Sequence, residues 1–295
     1  MKRLLALLIL ASSAMAAHAQ TPDSLAGSVA VTSRDGHAVT LGDIVNAAAD
    51  ADVVFLGEIH DDSLGHVVQL HILRALHERY GDARGVVLGM EMFETDVQGV
   101  LDEYASGVIR EQDMTASARP WPNYARDYRP LVEYSIANGI PVVGTNAPKR
   151  YVSLVSREGS VDALDALTPE ARATMPAPVA PPSEPLAAKF TALMGDMGSH
   201  GAMPGMPSVD GMLAAQNLRD ATMAQAMVDA MAQAGGQPLA VHVNGSFHSE
   251  GGLGIPEHVR RLAPQARILV VTMAPASGAS PEMGADDFVV LTGAQ

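Results

Sequence analysis

Polar side chains that could do chemistry follow four apolar runs of the sequence, each at the point where the run ends. They are Glu58 and His60, Glu91 and Glu94, Asn146, and Asn244 and His248. Short apolar runs next to glycine predict buried strands. In open parallel sheets, ligands bind in the crevice outside the carboxyl ends of the strands. The spacing therefore predicts that these side chains converge on one site.

The strongest candidates in this group are Glu58, His60, Glu91 and His248. Carboxylates and imidazoles can hold a divalent metal such as zinc or manganese. Without a metal, the same groups can act as a general base with an orienting carboxylate. Glu58 and His60 are two residues apart, so they point to the same side of an extended chain. A third interpretation is that these residues only cap helices and satisfy loop backbone.

The elements around these residues alternate between strand and helix patterns, which predicts an α/β fold with a mostly parallel sheet flanked by helices. A hairpin is expected at Asp35-Gly36 before the main sheet. Helices are expected from residue 62 or 63 to Gly81 and over 209–234. Proline-rich and methionine-rich stretches predict a smaller helical subdomain or lid, inserted at about residues 161–234.

An aromatic segment stands out because the chain contains only 4% aromatic residues. Trp121, Tyr124 and Tyr128 form the pattern W-x-x-Y-x-x-x-Y, and tyrosines four apart share a face of a helix. Such a cluster either packs a helix onto the sheet or forms the wall of a site for a flat ligand.

A glycine-rich loop surrounds His200 with methionines. Thioethers are soft ligands, so this loop is a candidate copper(I) site. Methionine-rich loops also act as adaptable apolar lids. The methionines are Met194, Met197, Met203 and Met206.

The first residues, Lys2 and Arg3 followed by LLALLIL and then Ala17-His18-Ala19, have the pattern of a secretory signal. We expect residues 1–19 to be removed and residues 20–295 to form a single domain. The expected location is periplasmic or secreted.

The composition excludes several kinds of site. The chain has no cysteine, which excludes disulfides, thiolate metal sites, a cysteine nucleophile and a lipid-anchored cysteine. Its formal net charge of −14 and the lack of a basic run disfavour nucleic acid as a partner.

Six blocks of the sequence together resemble the ChaN family of haem-binding uptake proteins. The blocks run in order from about residue 53 to residue 273 and are FLGEIHDDSLGH, GMEMFE, the segment from Trp121 to Tyr128, VVGTNAP, AQNLRDATMA and VNGSFHSEGGLGIPEHV. That family is related to Tiki, TraB and erythromycin-esterase proteins, whose Gly-x-x-His element corresponds here to Gly57 through His60.

The resemblance implies an α/β fold with a helical subdomain and a haem site formed where two subunits of a homodimer meet. It also implies a tyrosine on ferric iron, for which Tyr124 and Tyr128 are the matching residues. His200 is the candidate for a hydrogen bond to the phenolate or to a propionate. An outer-membrane haem receptor or another uptake component is the implied partner. The family includes lipoproteins, whereas this chain lacks the anchoring cysteine, so no lipid anchor is predicted.

The same ancestry supports a different hypothesis, a metal-dependent protease or esterase. His60 would be the base or a metal ligand, Glu58 and Glu91 would be ligands or orienting carboxylates, and His248 would be the second imidazole. Copper binding by the methionine-rich loop is the third hypothesis. Haem binding in iron uptake is the leading one.

Overall fold

The computed structural model describes residues 25, 27–198, 207–278 and 287–293. These residues form one sheet of eight strands in the order β2-β1-β8-β7-β3-β6-β4-β5. The strands are β1 Val29–Ser33, β2 Ala38–Val39, β3 Val53–Glu58, β4 Val86–Glu94, β5 Val142–Asn146, β6 Leu239–Gly245, β7 Ile268–Pro275 and β8 Phe288–Thr292.

The six strands from β8 to β5 run parallel to their neighbours. The hairpin of β1 and β2, which turns at the expected Asp35-Gly36, is antiparallel and joins the sheet along β8. The predicted α/β fold with a mostly parallel sheet is therefore confirmed.

Helices cover both faces of this sheet. The α-helices are α1 Leu41–Ala47, α2 Ser63–Arg84, α3 Gln98–Ala105, α4 Glu111–Ala118, α5 Arg129–Ala137, α6 Lys149–Glu158, α7 Pro169–Arg172, α8 Glu184–Gly198, α9 Val209–Ala234 and α10 Ile255–Leu262. A π-helix spans Tyr124–Tyr128, and short 3-10 turns span Thr95–Val97, Val161–Ala166, Ser246–His248 and Glu250–Gly252. No described helix has the length and apolarity needed to cross a bilayer.

Helix α2 begins as predicted, because the Asp62 side chain accepts a hydrogen bond from the Leu64 amide. It does not end at Gly81, which is a correction to the sequence prediction. A Cβ at Gly81 would lie 2.6 Å from a ring carbon of His77, so this glycine makes room for the imidazole. The helix ends before Gly85, whose positive φ of 75° no other residue type adopts easily.

Helix α9 has the predicted bounds and packs against the sheet. Its Met223 and Met227 are buried in a cluster with Val53 and Phe55 of β3. A second, larger cluster on the opposite face contains the apolar side of α2. The segment predicted as a helical subdomain or lid is thus helical over much of its length, and its last helix belongs to the core. The division into a domain and a lid stays a prediction.

The outer edge of β5 is occupied by one side chain. Gln98 of α3 accepts a hydrogen bond from the Gly144 amide at 2.8 Å and donates one to the Val142 carbonyl at 3.0 Å. These are two of the outward-facing backbone groups of the strand, and both are satisfied within the chain.

The N-terminal end of α9 crosses α6 at Gly211. A Cβ at Gly211 would lie 2.3 Å from the backbone carbonyl oxygen of Ser156, so the helices could not approach so closely with any larger residue. This contact fixes the start of the helix that carries polar groups to the strand ends.

We expect Gly211→Ala to lower the free energy of unfolding by about 2 kcal/mol or more, because the added methyl group meets backbone and not a flexible side chain. Gly99→Ala on α3 is the matched control, since nothing lies within 4 Å of its Cβ position. That change should be neutral or stabilising by about 0.5 kcal/mol. Urea denaturation measures both; equal effects of the two substitutions would contradict the close approach.

Candidate functional site

The carboxyl ends of β3, β6 and β4, three neighbouring strands, meet the π-helix at one place. Glu58 closes β3 and pairs in register with Gly245 of β6. Glu91 lies near the end of β4, and His248 follows β6 in a 3-10 turn. The strand-end site, as we define it, consists of Glu58, His60, Glu91, Tyr128 and His248. The structure therefore brings together all four strand-end residues singled out by the sequence.

Glu58 is buried, with 2% of its surface exposed, and its two oxygens are fully used. Oε1 accepts from the Tyr128 hydroxyl at 2.6 Å and contacts His60 Nδ1 at 3.0 Å. Oε2 accepts from Gln69 at 2.7 Å and lies 3.2 Å from His66 Nδ1. Burial alone would raise the pKa of Glu58, but hydrogen bonds from His60 and His66 hold that pKa below its usual value.

His60 is the accessible member of the site, with 46% of its side chain exposed. Its Nδ1 faces Glu58, whereas its Nε2 lies over Gly245, where a Cβ would come within 3.1 Å. Trp121 packs edge-on against the imidazole at a centroid distance of 4.6 Å. The hydrogen bond to Glu58 raises the pKa of His60. An imidazole oriented by a carboxylate, with its other nitrogen open, can accept or deliver a proton.

A second buried charge group lies beside the first. His248 Nε2 is 3.2 Å from Glu91 Oε1, and its Nδ1 forms a very short hydrogen bond with Asp220. The Gly245 amide donates to Glu91 Oε2 at 2.7 Å. Burial would lower the pKa of His248, but the two carboxylates raise that pKa to about 10. Burial would likewise raise the pKa of Glu91, but the charge of His248 lowers it to about 2.

Sequence reasoning missed several members of these networks, above all Asp220 and Gln216 on α9. The Gln216 side-chain amide lies 3.0 Å from His248 Nδ1, next to Asp220. Gln216 and Asp220 are four residues apart, so they lie on one face of the helix. Two polar residues on one face of a largely apolar helix are the sequence pattern that could have predicted them as members of the site. Gln69, inside the apolar stripe of α2, gave the same kind of signal.

The four predicted metal ligands lie as two pairs, Glu58 with His60 and Glu91 with His248. Within the part of the chain that the structure describes, no three His, Asp or Glu side chains are arranged to hold a metal ion. Hydrogen bonds from Tyr128, Gln69 and the Gly245 amide already occupy the carboxylates. The geometry supports proton transfer and charge orientation, and divalent metal binding stays a prediction.

The two tyrosines that the resemblance implied for haem have different surroundings. Tyr128 is fully buried, and its hydroxyl donates to Glu58. Tyr124 is also buried, with its ring against Phe93, but its hydroxyl has no hydrogen-bond partner in the described residues. Burial raises the pKa of both phenols. The sequence predicted that Tyr124 and Tyr128 share one face of a helix. The segment instead winds as a π-helix, and of the two tyrosines only Tyr128 reaches the strand-end site.

Some predicted positions fall outside the described residues. They are the signal segment 1–19, His200, and Met203 and Met206 of the proposed copper loop. A cavity of about 760 Å³ lies apart from the strand-end site, between the outer edge of β5, α3 and α9. It is lined by no histidine, so the groups suited to chemistry remain those at the strand ends.

The buried pair of Glu91 and His248 predicts a pH dependence of stability. The pKa of His248 is raised from 6.5 to about 10, so its protonated form stabilises the fold fully below pH 6.5 and this contribution is lost as the pH rises toward 10. The lowered pKa of Glu91 gives a contribution that is full above pH 4.5 and is lost as the pH falls toward 2.

We expect His248→Gln to cost about 3 kcal/mol of unfolding free energy below pH 6.5, because Glu91 and Asp220 lose their buried partner. The variant should lose less stability than the parent protein between pH 6.5 and 10, as measured by urea denaturation. His37→Gln, at an exposed position, is the control and should follow the parent curve. If the unfolding free energies of His248→Gln and the parent protein change in parallel with pH, Glu91 and His248 do not form a charged pair.

Known proteins resemble this chain in sequence and in fold. Residues 44–259 match the profile of the family described as "Haem-binding uptake, Tiki superfamily, ChaN". The protein RETICULATA-RELATED 5, chloroplastic, of Arabidopsis thaliana is 27% identical over 271 residues, which are 83% of this chain and 36% of that protein. This chain therefore spans about a third of that relative's length.

Among solved structures, ChaN of Campylobacter jejuni, described with cofacial haem binding, is similar with a TM-score of 0.65 and 15% identity. The match covers 90% of this chain and 97% of that one, which shows that the fold is shared. The profile match extends over most of the chain and includes Glu58, His60, Glu91, Tyr128 and His248. The chain belongs to the ChaN family of the Tiki superfamily.

Proposed function

We propose that this protein binds haem and takes part in haem or iron uptake outside the cytoplasm. Family membership supports haem as the ligand, and the similar ChaN of Campylobacter jejuni is described with cofacial haem binding. The observation that carries the proposal here is the 2.6 Å hydrogen bond from the Tyr128 hydroxyl to Glu58. It joins a phenol to a buried carboxylate at the strand ends.

Tyr128, rather than Tyr124, is the tyrosine that we assign to a ferric haem, because it is the one that reaches the strand-end site. Bound haem would supply an iron that prefers an anionic oxygen ligand in its ferric state. The Tyr128 hydroxyl donates to Glu58, and Gln69 and His66 hold that carboxylate in place. The ring of Tyr124 packs against Phe93, and its hydroxyl has no hydrogen-bond partner within the described residues.

Access to Tyr128 is controlled by two aromatic side chains at the mouth of the crevice. The Trp121 ring lies 6.0 Å from the Tyr128 ring and 4.6 Å from the His60 ring. Both His60 and Trp121 are partly exposed, whereas Tyr128 is not. Rotation of these two side chains would open the phenol to a planar ligand, and the indole would then supply a flat wall for the macrocycle.

The wider setting of this function also follows the family. We propose export by residues 1–19, action in the periplasm or outside the cell, and a haem site completed by a second copy of the chain. An outer-membrane receptor or another uptake component is the proposed partner. The exposed side of His60 and Trp121 is the surface that the second copy would cover.

A hemin titration of the protein lacking residues 1–19 tests this proposal. We expect saturable binding with the Soret and charge-transfer bands of a ferric phenolate. Tyr128→Phe should abolish that spectrum and weaken binding at least about tenfold, because the only oxygen ligand is lost. His60→Ala should keep the spectrum.

Tyr80→Phe is the matched control, because the Tyr80 hydroxyl also makes one buried hydrogen bond, to the Val45 carbonyl, away from the strand ends. It should titrate like the parent protein. Loss of the spectrum in Tyr124→Phe or His60→Ala, with Tyr128→Phe unaffected, would overturn the ligand assignment. Failure of the parent protein to saturate would overturn haem binding itself.

Hydrolysis is the second candidate function, and the Glu58 and His60 pair favours it. The imidazole is oriented through Nδ1, and its Nε2 lies over Gly245 within the strand-end site. That is the arrangement of a general base with an orienting carboxylate. Glu91 and His248 would then stabilise charge in the substrate, and no metal is required by this version of the mechanism.

Release of p-nitrophenol from a simple ester measures this activity. If the protein is a hydrolase, His60→Gln should lower the rate at least about 100-fold, since general-base catalysis typically contributes that much. His37→Gln, an exposed histidine, should leave the rate unchanged. A rate that is equal in the parent protein and His60→Gln would exclude His60 as the base.

A further inference from the structure

A chain of hydrogen bonds between buried side chains crosses the sheet beneath α9. The Thr145 hydroxyl of β5 lies 2.9 Å from Nε2 of His242 on β6, and Nδ1 of that imidazole lies 3.0 Å from Oδ1 of Asn244. Asn244 in turn donates to the Ser249 hydroxyl oxygen at 2.9 Å. All four side chains are fully buried, and none of them belongs to the strand-end site. We call these four residues the transverse chain.

Two glycines make room for the transverse chain between the strands. Strand β4 lies between β6 and β5, so the imidazole of His242 has to cross β4 to reach Thr145. It crosses at Gly89, the residue paired in register with His242, where a Cβ would lie 2.7 Å from a ring carbon. At the other end, a Cβ at Gly57 of β3 would lie 3.0 Å from the Ser249 hydroxyl oxygen. The chain therefore extends over four neighbouring strands.

The direction of each hydrogen bond in the transverse chain follows from its last member. The Gly245 carbonyl can only accept, and it lies 2.9 Å from Nδ2 of Asn244. Oδ1 of Asn244 therefore faces His242, whose Nδ1 must carry the proton. Nε2 is then unprotonated and accepts from the Thr145 hydroxyl. Burial lowers the pKa of His242 to about 4, which keeps the ring neutral at pH 7.

The transverse chain ends at the turn that carries His248. Ser249 directly follows His248, and Asn244 lies before the start of the same turn. Asn244 also holds the Gly245 carbonyl, while the Gly245 amide donates to Glu91 at 2.7 Å. The turn is thus held at both ends, and one of these ends is also bonded to the carboxylate with which His248 pairs.

We propose that His242 is a positioning residue for His248 and Glu91, and that its neutral ring, protonated at Nδ1, fixes the turn after β6 to β5. Its neighbours on the strand, Val241 and Val243, are apolar and fully buried. An apolar residue in place of His242 would avoid the cost of removing an imidazole from water. A buried polar network whose members are all bonded instead imposes one arrangement on the groups it joins.

The arrangement matters because the charged pair depends on distance. His248 Nε2 lies 3.2 Å from Glu91 Oε1 and is held there only as long as the turn keeps its place. The role of His242 concerns the geometry of the strand-end site, whichever ligand that site takes. It is therefore independent of haem binding.

Nuclear magnetic resonance of the protein with ¹⁵N-labelled histidine tests this role in two ways. In the parent protein at pH 7, His242 should be a neutral ring with its proton on Nδ1. The second observable is the exchange with water of the His248 Nδ1 proton, which is hydrogen-bonded to Asp220. The signals are assigned by their loss in His242→Gln and in His248→Gln.

Thr145→Val keeps the shape of the side chain and removes the donor to His242, at the end of the transverse chain farthest from the turn. Exchange of the His248 proton should become about tenfold faster, the factor expected for one lost hydrogen bond. Ser249→Ala, which removes the acceptor for Asn244, should have an effect of the same size. Thr145→Ser keeps the hydroxyl and should restore the parent rate.

Thr222→Val is the matched control. The Thr222 hydroxyl is also buried, and it donates to the Leu218 carbonyl at 2.7 Å within α9, outside the transverse chain. This substitution should leave the exchange of the His248 proton unchanged. The amide of Leu73, buried in α2 on the opposite face of the sheet, reports the stability of the whole fold.

Three results would overturn the role of His242. The first is a ring protonated at Nε2 in the parent protein, which remains measurable even if a variant does not fold. The second is an unchanged exchange rate of the His248 proton in both Thr145→Val and Ser249→Ala. The third is an equal acceleration of the Leu73 amide in these variants, because the transverse chain would then contribute to stability alone. No measurement uses hemin, so a failed hemin titration leaves this role of His242 unaffected.

Discussion

The buried carboxylate of Glu58 is the interaction on which the site depends. A carboxylate without water is costly unless its oxygens receive hydrogen bonds. Here Tyr128, Gln69 and two histidines meet that need, and they come from three different parts of the chain. The π-helix, α2 and the loop after β3 are therefore held to the sheet at one point. Loss of the Glu58 charge would release all of them together.

The strand order sets up the second constraint. Placing β6 between β3 and β4 puts Glu58 and Glu91 on either side of the turn that carries His248. Two carboxylates so close within a protein interior repel each other unless positive charge lies between or beside them. His248 supplies that charge for Glu91, and His66 supplies it for Glu58. The buried charges of the site are therefore nearly neutralised, and the imidazole of His60 and the indole of Trp121 lie beside them.

The sequence predicted those parts of the structure that depend on local pattern. The fold class, the bounds of α9 and the convergence of Glu58, His60, Glu91 and His248 all follow from apolar runs that end in polar groups. It did not predict Asp220, Gln69 or the separate surroundings of Tyr124 and Tyr128. These features depend on how the helices cross and wind. Long-range contacts decide that geometry, and the close approach of Gly211 to the Ser156 carbonyl is one of them. The sequence prediction ended α2 too early, at Gly81. That glycine makes room for the His77 ring inside the helix and does not end it.

The side chain of Gln98 on the outer edge of β5 has a consequence for how this chain meets other chains. An edge strand with free backbone groups is a template on which a further strand can add, and repeated addition leads to aggregates. Gln98 takes up one donor and one acceptor of this edge, the Gly144 amide and the Val142 carbonyl. A strand that adds to β5 would have to displace these two hydrogen bonds, which disfavours growth of the sheet from this edge.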